Sequence, residues 1–357
     1  MKIVIWHGYL LGGTGSNVYT RQLAREWSRG GRDVTVLCQE PHPERYDLGG
    51  AQVVRPDVGG LLPTFVFDHY EGYRVELLQD CSRAELEAWG KEVLEAATAT
   101  FVGSAHIREV VEEVCGHVDR VHEVPPGVDI EEWRPQPRDV ALAALVAEAR
   151  RDPPNPINAN ERLPDEGNAE RLSAFLAGDE PTVVYFGKLL RNKGVHVLLE
   201  ALRGLDARAV VVGFGDYRAE LEEMAAADRV LFTGPLEHRH LVHLLALADA
   251  CVVPSIFPEA FGMVAAEAAA AGCPPLVARH SGLAEVAEGL EVEYPPTLRH
   301  LTSFATGDAA DLRTKLAELL ALSDDDRVEI REAARRAAVQ RWSWSSVAER
   351  LAELGRV

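Results

Sequence analysis

From residue 181 the chain repeats one local pattern: a short apolar run, a turn built on glycine, then an apolar periodicity of helical type. Val183–Phe186 reads as a β-strand turned by Gly187, and Lys193-Gly194 opens the helical pattern Val195, Leu198, Leu199, Leu202. Val210–Gly213 reads as the next strand and leaves through Gly213-Phe214-Gly215. Val230–Gly234 follows, ending in Gly234-Pro235-Leu236, and Ala250–Pro254 leads straight into a loop that carries Glu259. Strands separated by helices pair in parallel, since each crossover brings the chain back to the same end of the sheet. The fold class imposed is α/β, and ligands of such sheets bind outside the carboxyl ends of the strands. Lys188, Lys193 and Glu259 all fall at those ends.

The stretch PSIFPEAFGMVAAEAAAAGCPP, residues 254–275, adds chemistry to that placement. Val264–Ala271 reads as a helix, because Ala and Glu are good helix formers. Gly262 suits the turn into it and Gly272 its C-terminal cap. Glu259 then lies in the loop before the helix and Glu267 in its early turns. The backbone N–H groups of Phe261, Gly262, Met263 and Val264 would be ready anion ligands. A carboxylate outside them can accept hydrogen bonds from hydroxyls instead. A diphosphate at the helix start with hydroxyls on either side describes a nucleotide sugar. Two cations, Lys188 and Lys193, at a strand-to-helix turn suit the same diphosphate. Taken singly, a pair of solvated lysines or a buried Ala-rich helix explains each motif as well.

The N-terminal region starts in the same way. Lys2–Trp6 is a β run, His7–Asn17 (HGYLLGGTGSN) a glycine-rich loop, Val18–Ser28 a helix and Asp33–Cys38 a second strand. Gly12-Gly13-Thr14-Gly15 does not complete a G-x-G-x-x-G dinucleotide fingerprint, and only Gln39-Glu40 stands near where a ribose ligand belongs. The helical region Leu77–Glu95 runs into a strand at Ala99–Ser104. A net charge of −19 excludes a nucleic-acid binder, which needs clustered Lys and Arg against phosphate. Five cysteines with no Cys-x-x-Cys pair read as reduced thiols of a cytoplasmic protein. MKIVIW reads as a strand, not a signal peptide, and no apolar run is long enough to span a bilayer, so membrane association is not indicated.

At 357 residues the chain can bury two cores. The clearest boundary is 138–180: Arg138–Arg151 is helical, whereas Asp152–Gly167 (DPPNPINANERLPDEG) offers little to bury and reads as an exposed, mobile loop. Asp324–Leu354 is helical, with Ser323 as N-cap and Asp324-Asp325-Asp326 favouring the helix dipole rather than a metal. Trp342 and Trp344 are expected to dock the terminal helix.

Jointly, Glu259-x7-Glu267 with Phe261-Gly262, the turn Gly187-Lys188-x4-Lys193-Gly194, and Val212-Gly213-x-Gly215 resemble the donor half of family-four retaining glycosyltransferases with the GT-B fold. The family turn more often begins Gly-Arg, and Lys188 gives up the bidentate phosphate contact of an arginine. The resemblance implies two Rossmann-like domains with parallel sheets facing a cleft. They would be an abbreviated acceptor-side domain at 1–137 and a nucleotide-sugar-binding domain at 181–340, with 138–180 as linker and a helix at 341–357 returning toward the first. It implies transfer of a hexose-type sugar from a UDP- or GDP-sugar to an unknown acceptor, with retention and without metal or other cofactor. Lys188 and Lys193 would neutralise the leaving diphosphate. Glu259 would hold sugar hydroxyls, Glu267 the ribose, and backbone around Leu236 the base, while Gly187 and Gly213 line the donor site. Gly12 and Gly13 would face the cleft. The first domain is several tens of residues shorter than the family leads one to expect. The polar residue usually delivered from it has no clear counterpart here; His69, in FVFDHYEGY beside Asp68, is the candidate. Two other readings remain open: a nucleotide-sugar-binding protein impaired in transfer, and a sugar-nucleotide epimerase or hydrolase on the same fold.

Overall fold

The computed structural model describes residues 2–7, 10–12, 15–57, 61–64, 74–77, 82, 84, 87, 91, 94, 97, 99–116, 119–226 and 228–355. The chain forms two compact units. One comprises 1–102, 107–127 and 344–357, the other 103–106 and 128–343.

In the first unit, strands β1 (Lys2–Trp6), β2 (Asp33–Leu37) and β3 (Gln52–Val54) pair in parallel in that order. Helix α1 (Gly15–Arg29) crosses from β1 to β2. Two further parallel pairs are β4 (Leu61–Thr64) with β5 (Arg74–Leu77), and β6 (Thr100–Val102) with β7 (Val121–Glu123). The region expected to be helical from Leu77 thus begins as a strand end, and 84, 87, 91 and 94 are helical. Helix α2 (Ala105–Cys115) links β6 to β7. Leu23, Ala24 and Trp27 of α1 and Val34 and Val36 of β2 share a core with Trp344, Val347, Ala348 and Leu351 of the last helix. That helix is held further by the Trp27 indole, which donates to the Ala348 carbonyl at 2.8 Å.

The second unit is built on six parallel strands: β8 (Thr182–Phe186), β9 (Arg208–Val212), β10 (Val230–Phe232), β11 (Ala250–Val253), β12 (Pro275–Ala278) and β13 (Ser303–Phe304). Their spatial order is β10-β9-β8-β11-β12-β13. Every residue of β8, β9, β11 and β12 is buried, as expected for a sheet covered on both faces. The crossovers are α5 (Val195–Leu202), α6 (Arg218–Met224), α7 (His238–Leu247), α8 (Met263–Ala270) and α9 (Ser281–Glu293). α10 (Ala309–Leu320) and α11 (Asp324–Trp342) complete the layer. Ser323 caps α11 by accepting from the Asp326 amide.

Residues 138–180 are not a linker between the units. Helices α3 (Arg138–Ala149) and α4 (Asn168–Phe175) bury Leu145 and Leu172 completely in the second unit's core. Between them the acidic loop is exposed from 156 to 162 but tied down on both sides. Asn155 is buried and its amide donates to the carbonyls of Asn160 and Pro164, each at 3.0 Å. The Asp165 carboxylate takes a fork from Arg218 at 2.8 and 2.6 Å, and its amide donates to Thr233 at the end of β10. Composition suggested mobility because the stretch has few apolar groups; it is ordered by polar partners far along the chain. The later boundary also shifts: Trp342 lies in the second unit's core, stacking edge-on to Phe261, whereas Trp344 lies in the first unit's. The closing helix, α12, is Trp344–Leu354. No helix among the described residues is long and apolar enough to cross a membrane.

Candidate functional site

The strand order reverses between β8 and β11. The chain runs outward from β8 through β9 to β10, then returns to lay β11 on the other side of β8. The carboxyl ends of the strands at such a reversal are the ligand position of doubly wound sheets, and the loops leaving β8 and β11 border the crevice there.

Loop 187–194 and loop 254–262 meet at that crevice. The Asn192 carbonyl accepts from the amides of Ile256 at 2.9 Å and Phe257 at 3.2 Å. Gly194, at φ 71°, lies so close that a Cβ would overlap the Pro254 carbonyl. On the other flank the Tyr185 hydroxyl donates to the Lys188 carbonyl at 2.8 Å, shaping the turn. Burial and the nearby Glu259 carboxylate both raise the Tyr185 pKa, so that hydroxyl stays protonated. The Gly187 amide donates to Val212 and the Gly213 amide to Gly234, so the ends of β8, β9 and β10 lie side by side.

Lys193 and Glu259 are brought into direct contact: Nζ to Oε1 is 2.6 Å, with side-chain exposures of 27% and 25%. The pair is open enough to be reached and enclosed enough for its charges to be weakly screened. Lys188 is exposed and has no side-chain partner among the described residues. Immediately beyond Glu259, helix α8 starts at Gly262. No side chain caps it and its first turn contains no acidic residue, so its leading N–H groups are free to meet an anion. Phe261 is buried against the Trp342 ring at 5.9 Å, so only its backbone can serve a ligand. Met263 and Val264 present the next amides. Glu267, one turn further along, is partly accessible and has no side-chain partner among the described residues. Desolvation, reinforced by the Glu132 carboxylate, pushes its pKa up to about 8. Leu236 is buried on the turn after β10, two residues from Gly234.

The remaining candidates lie in the first unit. The Gly12 carbonyl accepts from the Asn17 amide side chain, and a Cβ at Gly12 would meet the Tyr46 hydroxyl at 2.6 Å. Gly13 and His69 lie outside the described residues. Among the described residues no group of three or more His, Cys, Asp or Glu is placed to hold a metal ion.

Two residues that the motifs did not flag complete the crevice. The Glu259 amide donates to Ser281 Oγ at 2.9 Å, and the Gly282 amide donates to the Glu259 carbonyl at 3.0 Å. His280 Nε2 donates to the Ser255 carbonyl at 2.7 Å, and His280 Nδ1 lies 3.0 Å from Ser281 Oγ. The available signal was positional: His280-Ser281-Gly282 follows β12 and opens α9, the same strand–turn–helix arrangement that marked the other loops.

A family profile described as "Glycosyl transferases group 1" matches residues 168–337. The D-inositol 3-phosphate glycosyltransferase of Xylanimonas cellulosilytica is 33% identical over 72% of this chain and 57% of its own length. A GDP-mannose-dependent alpha-(1-6)-phosphatidylinositol monomannoside mannosyltransferase of Mycobacterium tuberculosis is 31% identical over 71% of this chain and 60% of its own. The chain therefore spans less than two thirds of the length of these curated relatives. Among solved structures, Anabaena HepE in complex with UDP and glucose matches over 100% of both chains, with a TM-score of 0.66 at 18% identity. A glycosyltransferase of Rickettsia africae matches 99% of this chain and 97% of its own with a TM-score of 0.69 at 13% identity. The group 1 glycosyltransferase profile thus falls on the unit that holds the crevice, and the chain shares the GT-B fold of these neighbours.

Proposed function

We propose that this protein is a retaining glycosyltransferase that moves a hexose-type sugar from a UDP- or GDP-sugar to an acceptor hydroxyl without a metal ion. The observation that carries the reading is the Lys193–Glu259 pair beside the uncapped start of α8, at the point where the strand order reverses. A diphosphate entering there would take Lys193 and the α8 amides, with Lys188 as a second cation. Glu259, released from its lysine, would accept from sugar hydroxyls, and Glu267 from the ribose. The bond from the anomeric carbon to the diphosphate breaks, a bond to the acceptor oxygen forms on the same face, and the acceptor proton leaves to the diphosphate or solvent. Lysines and helix amides would stabilise the charge that grows on the diphosphate, the largest contribution in transfers of this kind. The named use of GDP-mannose by one relative and the UDP complex of HepE support a nucleotide-sugar donor. Buried free Cys38, Cys251 and Cys273 suit the reducing cytoplasm.

The test is a thermal-shift panel of UDP, GDP and their hexose conjugates, with EDTA present, followed by NMR of the anomeric configuration of any product. A ligand of the folded state raises the midpoint. The reading predicts a shift with at least one nucleotide, undiminished by EDTA, and an unchanged anomeric configuration. No shift with any of them, or a strict metal requirement, would sink it. Binding with no turnover on any acceptor would assign the chain to nucleotide-sugar binding alone.

A further inference from the structure

Glu259 is held by a hydrogen-bonded clasp that reaches across from the loop after β12. With His280 as the neutral imidazole, the chemistry of each group fixes the direction of every bond. The Ser255 carbonyl can only accept, so His280 carries its proton on Nε2 and donates at 2.7 Å. Nδ1 is then a lone pair, and it can take only the Ser281 hydroxyl proton, 3.0 Å away. The Ser281 oxygen is left to accept, and it accepts the Glu259 amide at 2.9 Å. Both ends of loop 255–259 are thereby tied to two adjacent residues of another strand's loop.

Ser281 adopts φ 44°, in the left-handed region that favours glycine. Gly282, immediately after it, is itself confined: a Cβ there would lie 2.5 Å from Phe261 Cα. A glycine at 281 would carry the same backbone without strain, but it would have no hydroxyl to offer Glu259. Strain of this kind persists where the surroundings hold it and the residue is used. Ser281 and His280 are both partly accessible, so the clasp is at the crevice rather than in the core.

We infer that Ser281, oriented by His280, is a positioning residue that sets the Glu259 carboxylate for the donor sugar, a role resting on the proposed nucleotide-sugar function. Ser281 acts through the Glu259 backbone and touches no reacting atom. Its loss should therefore lower the recognition of sugar hydroxyls more than that of the nucleoside diphosphate, which Lys193 and the α8 amides would meet.

The experiment compares the parent, Ser281→Ala and Ser281→Gly by calorimetry with UDP against UDP-glucose and GDP against GDP-mannose, alongside their thermal midpoints. The gain in affinity that the sugar adds over the bare diphosphate should fall about five- to tenfold in both variants, the share of one neutral hydrogen bond. Affinity for the bare diphosphate should stay within about twofold, since no phosphate contact is altered. Ser281→Gly should melt above Ser281→Ala, because glycine relieves the positive φ, yet show the same loss of sugar recognition. A sugar increment that recovers in Ser281→Gly along with the midpoint would mean that Ser281 serves the backbone alone and would overturn the proposal. So would an increment unchanged in both variants. A parent that binds no nucleotide at all would overturn the function itself, and that result is read before any variant is made.

Discussion

The 2.6 Å contact of Lys193 with Glu259 sets what single substitutions should do. If the lysine meets a diphosphate, Lys193→Ala loses a charge-assisted contact of about 1.5–3 kcal/mol. Titration calorimetry should then show UDP or GDP affinity falling at least tenfold, while Lys91→Ala leaves it unchanged; equal affinity in both variants would remove Lys193 from the donor site. Glu259→Gln should spare the bare diphosphate and impair transfer, because its contacts are to the sugar. Glu267 makes a separate prediction. Its pKa is raised from 4.5 to about 8, so the folded state holds a proton that the unfolded chain has lost. The stability this group contributes is full below pH 4.5 and is lost as pH rises through about 8, with a slope of at most about 1.4 kcal/mol per pH unit. Glu267→Gln removes that slope. In urea titrations at pH 5, 6.5 and 8 the variant should gain on the parent steadily with pH. Parallel stability curves would show that the carboxyl is solvated rather than enclosed.

Among the elements, the crevice depends on how closely two loops approach. A methyl group at Gly194 would overlap the Pro254 carbonyl, and alanine also resists φ 71°. Gly194→Ala should cost about 2–5 kcal/mol from the two penalties together, seen as a lower denaturation midpoint. It should also weaken nucleotide binding, because Lys193 precedes this glycine and moves with it. A variant with parental stability would mean that the two loops yield easily. This part of the fold was legible from residue types. Val183–Phe186 and Val210–Val212 are continuous apolar runs punctuated by glycine, and a run of that kind has few alternatives to a buried parallel strand. The loop at 152–167 was not legible. Asn155 and Asp165 look like solvated residues, and their burial depends on partners such as Arg218, 53 positions downstream of Asp165. Composition reports what a segment could bury among apolar groups, not which distant guanidinium will meet it. For the same reason His280 and Ser281 had only their position after β12 to mark them: their types are common, and the hydrogen bonds to Ser255 and Glu259 are visible only once β11 and β12 lie side by side.

For the whole molecule, the division at Ser343 carries the last prediction. Within the second unit Val128 and Ser343 pair as an isolated bridge, and the Val128 amide donates to the Trp342 carbonyl at 2.6 Å. The next residue, Trp344, already belongs to the other core, where it meets Tyr19 edge-on at 5.2 Å between ring centroids. Ending the chain after Ser343 would therefore leave the second unit's core complete, Trp342 included. The first unit would lose Trp344, Val347, Ala348 and Leu351, together with the carbonyl that satisfies the buried Trp27 indole. Each of the large side chains is worth roughly 1.5–3 kcal/mol when buried. The total is of the order of a small unit's entire stability. Hydrogen exchange should show the amides of α1, β1 and β2 losing their protection, while those of β8, β9 and β11 keep theirs. If the donor site is assembled from residues 187–282, UDP or GDP should still bind the truncated chain within about threefold of the parent. Protection lost evenly from both units would mean that their stabilities are not separable. Lost nucleotide binding over an intact second unit would mean that the donor site needs groups from outside it.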